Sequence, residues 1–230
     1  MRHSIKHGNA MGVLEVEFSP GETLVAEAGA MVAKDRGIDL EVALTPEREP
    51  GFWNVVKAFF VALVRKLVGG ETFVLNHFTA SRAGRLVLAP TFAGAIQSRD
   101  LAGGSIILRA GAYLASAGNV HIALRWGGLR ALFAREGLFF LEVSGHGTVW
   151  FSSYGAVEAM RCEGSLVVDN GHILAFDPQL DFAIRAPGGG FLGFAASGEG
   201  LVCEFTGTGT VWVQTRNVQA LVSWISPLLP

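Results

Sequence analysis

The chain has 230 residues, half of them hydrophobic and 17% charged, so it is long enough to bury a sizeable core and too apolar to stay disordered. A net charge of −2, from 18 Lys and Arg against 20 Asp and Glu, provides no basic field for a phosphate backbone and disfavours nucleic acid as a partner. The only two cysteines, Cys162 and Cys203, cannot build a disulfide framework and lack CxxC spacing; they are expected to be buried, reduced thiols.

The N-terminal run MRHSIKHGNAMGVLEVEF has no apolar h-region and no small-residue cleavage site, which makes cytoplasmic residence the expectation. From Gly21, GETLVAEAGAMVAKDRGIDLEVAL reads as a strand, a corner at Gly29 and a second strand. The alternation of Ile38 to Val42 then predicts a third. Residues 51–68, within GFWNVVKAFFVALVRKLVGGE, place Phe52, Val56, Phe59, Phe60, Leu63 and Leu67 on one face of a helical wheel, with Asn54, Lys57 and Arg65 opposite. This predicts a short amphipathic helix, too short and too charged to span a bilayer comfortably. With Trp53 beside its phenylalanines and no acidic residue, it suits packing on the protein's own core or a neighbouring subunit, docking on a membrane surface or a protein partner, or a ligand lid. From Glu71, ETFVLNHFTASRAGRLVLAP predicts a strand, a glycine-containing hairpin and a strand.

The same order then recurs. GGSIILRAGAYLASAGNVHIAL begins at Gly103, the apolar and basic linker RWGGLRALFAREG spans 125–137, and EGLFFLEVSGHGTVWFSS begins at Glu136. A third pass runs through EGSLVVDNGHILAFDPQLDFAI from Glu163, APGGGFLGFAASGEG over 186–200 and EGLVCEFTGTGTVWVQT from Glu199. Aligned without gaps, Gly29, Gly111 and Gly171 coincide, 82 and 60 residues apart. Leu24, Ile106 and Leu166 then fall together, as do Met31, Tyr113 and Ile173, and Ala33, Ala115 and Ala175. The expectation is one all-β domain with internal pseudo-threefold symmetry, because a single unit would leave its apolar face uncovered. Its repeats are 12–93, carrying the helical insertion, then 94–154 and 155–217, followed by a C-terminal tail at 218–230.

EAGAMV (27–32), APTFAGAIQSRDL (89–101), RAGAYLAS (109–116), FAREGLFFLEVSGHGTVWF (133–151) and GTVWVQTRN (209–217) fall in one order along nearly the whole chain. Together they resemble the uncharacterised family related to the fungal altered-inheritance-of-mitochondria proteins, within the superfamily of the tryptophan RNA-binding attenuator protein (TRAP-like). The resemblance implies three TRAP-like β motifs, each a small double-stranded β-helix or sandwich, assembled into a homo-oligomer. It implies little about activity, although the fungal relatives are associated with mitochondrial inner-membrane organisation. The attenuator protein binds tryptophan between subunits and wraps single-stranded RNA with repeated Lys and Arg; those positions find no residue-by-residue match here.

Candidate chemistry is sparse. GGGFLG at 188–193 satisfies G-x-G-x-x-G but is followed by AASGEGLVCEF, another loop and strand rather than the helix and acid of a dinucleotide site. His121 aligns with Asp39 and Asp181, and His77 with Glu142 and Glu204; alternation alone explains them as outward strand residues, and convergence on a cation is the competing reading. His146 and His172 read as turn residues, Ser152, Ser153 and Tyr154 as loop, and Asp177-Pro178 as a turn. No nucleophile sits in a recognisable catalytic frame. The expectation is therefore a non-enzymatic, cofactor-free homo-oligomer, with a trimer as the guess for subunit number. It would act as a scaffold or binding module whose membrane or partner contact is made by Phe52, Trp53, Val56, Phe59, Phe60, Leu63 and Leu67. Small-ligand or RNA binding at an intersubunit site is the alternative, with an enzyme of unknown class behind it.

Overall fold

The computed structural model describes residues 1–8, 10–43, 74–126, 139–185 and 201–228. Fifteen strands and one α-helix occupy them, and every pairing between strands is antiparallel. The 51–68 segment, with Phe52, Trp53, Val56, Phe59, Phe60, Leu63 and Leu67, lies outside the described residues. So do GGGFLG and most of the 125–137 linker.

The first six elements after the N-terminal strand β1 (Arg2–Lys6) establish a pattern. In β2 (Val13–Phe18), alternation buries Leu14, Val16 and Phe18 and turns Glu15 and Glu17 outward. The strand pairs with β7 (Gly84–Leu88), whose other edge takes β4 (Met31–Lys34). Alongside, β6 (Leu75–Ala80) lies between β3 (Thr23–Glu27) and β5 (Ile38–Ala43).

The same pairings recur with longer strands. β11 (Phe139–Ser152) takes β8 (Ile96–Asp100) and β9 (Ser105–Arg109) on one edge and β10 (Tyr113–Trp126) on the other. β15 (Val202–Gln214) takes β12 (Val157–Asp169) on one edge, and β13 (Ile173–Phe176) and β14 (Asp181–Arg185) on the other. The hairpin expected in the second and third passes does not form: β11 and β15 run unbroken. Gly145 and Gly207, at φ of +118° and +114°, bend these long strands instead of turning them back.

Three register shifts fall at the aligned positions: between Met31 and Ala33 on β7, Tyr113 and Ala115 on β11, and Ile173 and Ala175 on β15. Consecutive passes also join edge to edge. Ala115 and Ser116 of β10 pair with Ala26 and Val25 of β3, and Ala175 and Phe176 of β13 pair with Leu108 and Ile107 of β9.

Three apolar clusters fill the interior, the first around Leu14, Leu86 and Trp150, the second around Leu108, Tyr113 and Phe151. In the third, Phe140 meets Phe176 and Phe182 edge-on, with centroids 5.2 and 5.4 Å apart, and Phe205 completes the group. Cys162 and Cys203 are buried there, as expected. The passes also touch at Gly94, where the Ala95 N–H donates to the Gly155 carbonyl and a Cβ would run into the Ser153 carbonyl. Ser153, read from sequence as loop, is buried here; its Oγ accepts from the Ala95 N–H and donates to the Gly155 carbonyl.

The tail contains the helix α1 (Val218–Ile225), which the sequence reading missed. Asn217 caps it, accepting from the Gln219 and Ala220 N–H groups. None of its residues is buried, and Trp224 is 69% exposed.

Candidate functional site

Where the second pass meets the third, β8, β11, β15 and the turn after β13 converge on a cleft of about 390 Å³. Alternation along β15 buries Val211 and sends Trp212 to the opposite face. Asp177 follows β13, and the turn predicted at Asp177-Pro178 forms: its carbonyl accepts from the Leu180 N–H. The Asp177 N–H donates to the Thr210 carbonyl at 3.0 Å, and its carboxylate accepts the Thr210 N–H at 2.9 Å. The other carboxylate oxygen accepts from Arg99 of β8 at 3.1 Å, and the Arg99 guanidinium carbon lies 5.1 Å from the Trp212 ring centroid.

Both Asp177 oxygens are engaged, so this carboxylate orients Arg99 rather than serving as a free base. Gln97, Ser98, Phe151 and Thr210 complete the lining. A cation held over an indole, with polar side chains beside it, suits a planar or anionic small molecule, and the volume falls in the range of such sites. Sequence reasoning did not find this cluster. The repeated GTVW marked Trp212, but no local signal connects it with Arg99 and Asp177, which are 78 residues apart.

Two other polar groups stand out. Burial pushes the Tyr113 hydroxyl well above the usual tyrosine range; it donates to the Val25 carbonyl and shares a 2.8 Å hydrogen bond with Ser116, tying β10 to β3. Glu15, paired with Lys6 and with Arg85, is held below the usual carboxylate range, chiefly by its hydrogen bond to Lys6.

The aligned histidines and acids follow the alternation. His77, His121, Asp39 and Asp181 are exposed on their strands, His77 faces Glu41 across β5 and β6, and Glu204 pairs with Arg185. Among the described residues, no three His, Cys, Asp or Glu side chains are placed to hold a metal ion. His146 is not in a turn but within β11, opposite Asn119, because the strand continues through its glycines. His172 does sit in a turn, its Nδ1 2.7 Å from the Gln214 carbonyl oxygen. Among the described residues no helix is long and apolar enough to cross a membrane.

Over the described residues these features define a predominantly antiparallel β protein with one short C-terminal helix. Residues 3–216 match the family described as Mitochondrial biogenesis AIM24, and the chain belongs to that family. It is 27% identical to an uncharacterised protein of Streptococcus pyogenes serotype M6 over 233 aligned positions, covering 100% of this chain and 92% of the relative. A crystal structure of a Streptococcus pyogenes protein shares the fold, with a TM-score of 0.78 at 24% identity and 99% of both chains covered.

Proposed function

We propose that the chain is a non-enzymatic, cytoplasmic homo-oligomer that serves as a scaffold or binding module, built from three TRAP-like units at 12–93, 94–154 and 155–217. The coincidence of the three register shifts with the aligned positions supports the threefold plan. The observation that carries the oligomer is that, among the described residues, the sheets end at β4 and β12 with apolar side chains in the open: Val32 is 61% exposed and Val167 57%. Strand edges of this kind are ready to pair with another chain. Gathered copies would array their α1 helices and 51–68 segments on one assembly, strengthening weak contacts with a membrane surface or protein partner by multivalency.

Native mass spectrometry tests this reading. A clean multiple of the 24.4 kDa chain supports it, with a trimer as the expected multiple, and a monomer at micromolar concentration sinks it. Replacing Phe59 and Phe60 with Ser tests the 51–68 contact: liposome or subunit association is lost while the β signal in circular dichroism stays. Unchanged oligomer mass together with unchanged liposome binding removes that role.

A second reading, small-ligand binding, is favoured by the Arg99, Asp177 and Trp212 cleft. Retained small-molecule mass in the same spectrum, lost in Trp212→Ala, moves that reading to first place. RNA at this site is less favoured, given the chain's net charge of −2.

A further inference from the structure

The outer edges of β2 and β8 differ in what covers them. β2 lies beside β7 on the edge away from β4, and β8 lies beside β11 on the edge away from β10. Matched at the register shifts, Leu88 corresponds to Phe151, so Leu14 and Val16 of β2 correspond to Gln97 and Arg99 of β8. The outer edge of β2 receives a further antiparallel strand, β1, whose His3 lies opposite Val16 and sets its ring edge-on against Trp150, centroids 5.0 Å apart. Among the described residues β8 pairs only with β11. Its consecutive residues Gln97, Ser98 and Arg99 instead line the cleft of about 390 Å³, together with Trp212, which stands opposite Ala175 as Trp150 stands opposite Ala115.

The open edge is ready for a ladder. Residues of an antiparallel pair alternate between those that exchange N–H and C=O groups with the neighbour and those that turn both away. The Leu101 N–H donates to the Gly147 carbonyl and the Ala95 carbonyl accepts from the Ser153 N–H. The odd-numbered residues of β8 therefore bond to β11, and Ser98 and Asp100 turn their N–H and C=O groups outward. Charge selects the guest. The Arg99 side chain is 34% exposed, and beyond its bond to Asp177 its nitrogens meet no acceptor among the described residues. Both oxygens of Asp177 are taken, by Arg99 and by the Thr210 N–H. Asp100 lies on the opposite face of β8 by alternation.

We infer that the outer edge of β8 takes an extended peptide of another protein as an added antiparallel strand, with an acidic side chain opposite Arg99. Ser98 supplies main-chain hydrogen bonds, and the guest residue in the place that His3 holds on β2 lies against Trp212. Its carboxylate accepts from the guanidinium nitrogens that Asp177 leaves open. A strand fits better than a free small molecule, which would leave the outward groups of Ser98 unmatched. The inference rests on the binding-module reading above and names its partner class.

The probe is a fluorescein-labelled peptide of sequence STVEVTS, read by anisotropy on the full-length protein. The glutamine peptide STVQVTS is expected to bind about tenfold more weakly, and Arg99→Gln should level the two. N-methylation of both valines, whose N–H groups would face β8, should abolish binding, whereas N-methylation of the glutamate, whose N–H faces away, should be tolerated. Ser98→Pro removes an outward N–H and no bond to β11, so it should lose the peptide with an unchanged circular dichroism spectrum. The N-methyl series uses the wild-type protein and decides the matter even where Ser98→Pro does not fold. Binding that survives valine N-methylation, or that does not distinguish glutamate from glutamine, would overturn the inference. Absence of binding would overturn it too: a multiple-chain native mass would then leave the oligomer reading standing, and a retained small molecule lost in Trp212→Ala would give the cleft to that ligand. A Ser98→Pro protein reduced from a multiple to single chains would show that a second copy fills this edge, and would likewise overturn it.

Discussion

Arg99 and Asp177 join the second and third passes through a 3.1 Å hydrogen-bonded ion pair, with the arginine lying over Trp212 and the aspartate also anchored to the Thr210 N–H. The two partners should respond unequally to removal. Asp177→Ala leaves the Thr210 N–H and the guanidinium without their acceptor and should cost about 1–3 kcal/mol in urea denaturation. Arg99 is partly exposed, so Arg99→Met should cost less, about 0.5–1 kcal/mol, through loss of its stack on Trp212. Equal losses from both would count against the anchoring role of Asp177.

Gly111 and Gly171 occupy one aligned position but should not tolerate alanine equally. A Cβ at Gly111 meets nothing within 4 Å, so Gly111→Ala should be neutral or slightly stabilising. At Gly171 the same atom runs into the Asn217 side chain, which caps α1. Gly171→Ala should therefore cost about 0.5–2 kcal/mol, the range of a lost cap, and reduce the helical signal. Unaltered helicity and stability in that variant would refute the coupling.

Glu15 sets an acid limit on the attachment of β1. Its carboxylate is held below the usual range by Lys6 first and Arg85 second, so the folded state favours the charged form. The stability it contributes is present above the ordinary glutamate range and disappears as pH falls through the lowered folded value. Melting temperatures of the wild type and Glu15→Gln should differ at neutral pH and converge under acid. A gap that persists unchanged into strong acid would exclude this linkage.

Cys162 and Cys203 are buried in the third cluster. A thiol reagent should modify neither in the native protein and both on unfolding, so the reaction reports opening of that cluster. Rapid labelling of the folded protein would contradict the packing.

Much of the strand plan was legible in the residues because it is set locally. Alternation in VLEVEF places Leu14, Val16 and Phe18 inwards, and the corner glycines mark where strands turn. Buried thiols were legible for another reason: cysteine outside CxxC spacing behaves as a small hydrophobe. The candidate cleft was not legible. Gln97, Arg99, Asp177 and Trp212 are ordinary strand and turn residues until β8, β15 and the turn after β13 are brought together. Glycines misled in β11 and β15, because a positive φ serves a bend as well as a hairpin and local sequence does not separate the two. The helix α1 was missed because a short apolar run such as VQALVSWI has no periodicity long enough to distinguish it.

By itself, then, the sequence determined an all-β chain, since alternation and glycine spacing act over a few residues. Tertiary structure alone decided that Leu114 and Leu174 are buried while Val32 stands open at the aligned position. The reason is physical: burial depends on which strand arrives from a distant part of the chain, and among the described residues β4 pairs only with β7.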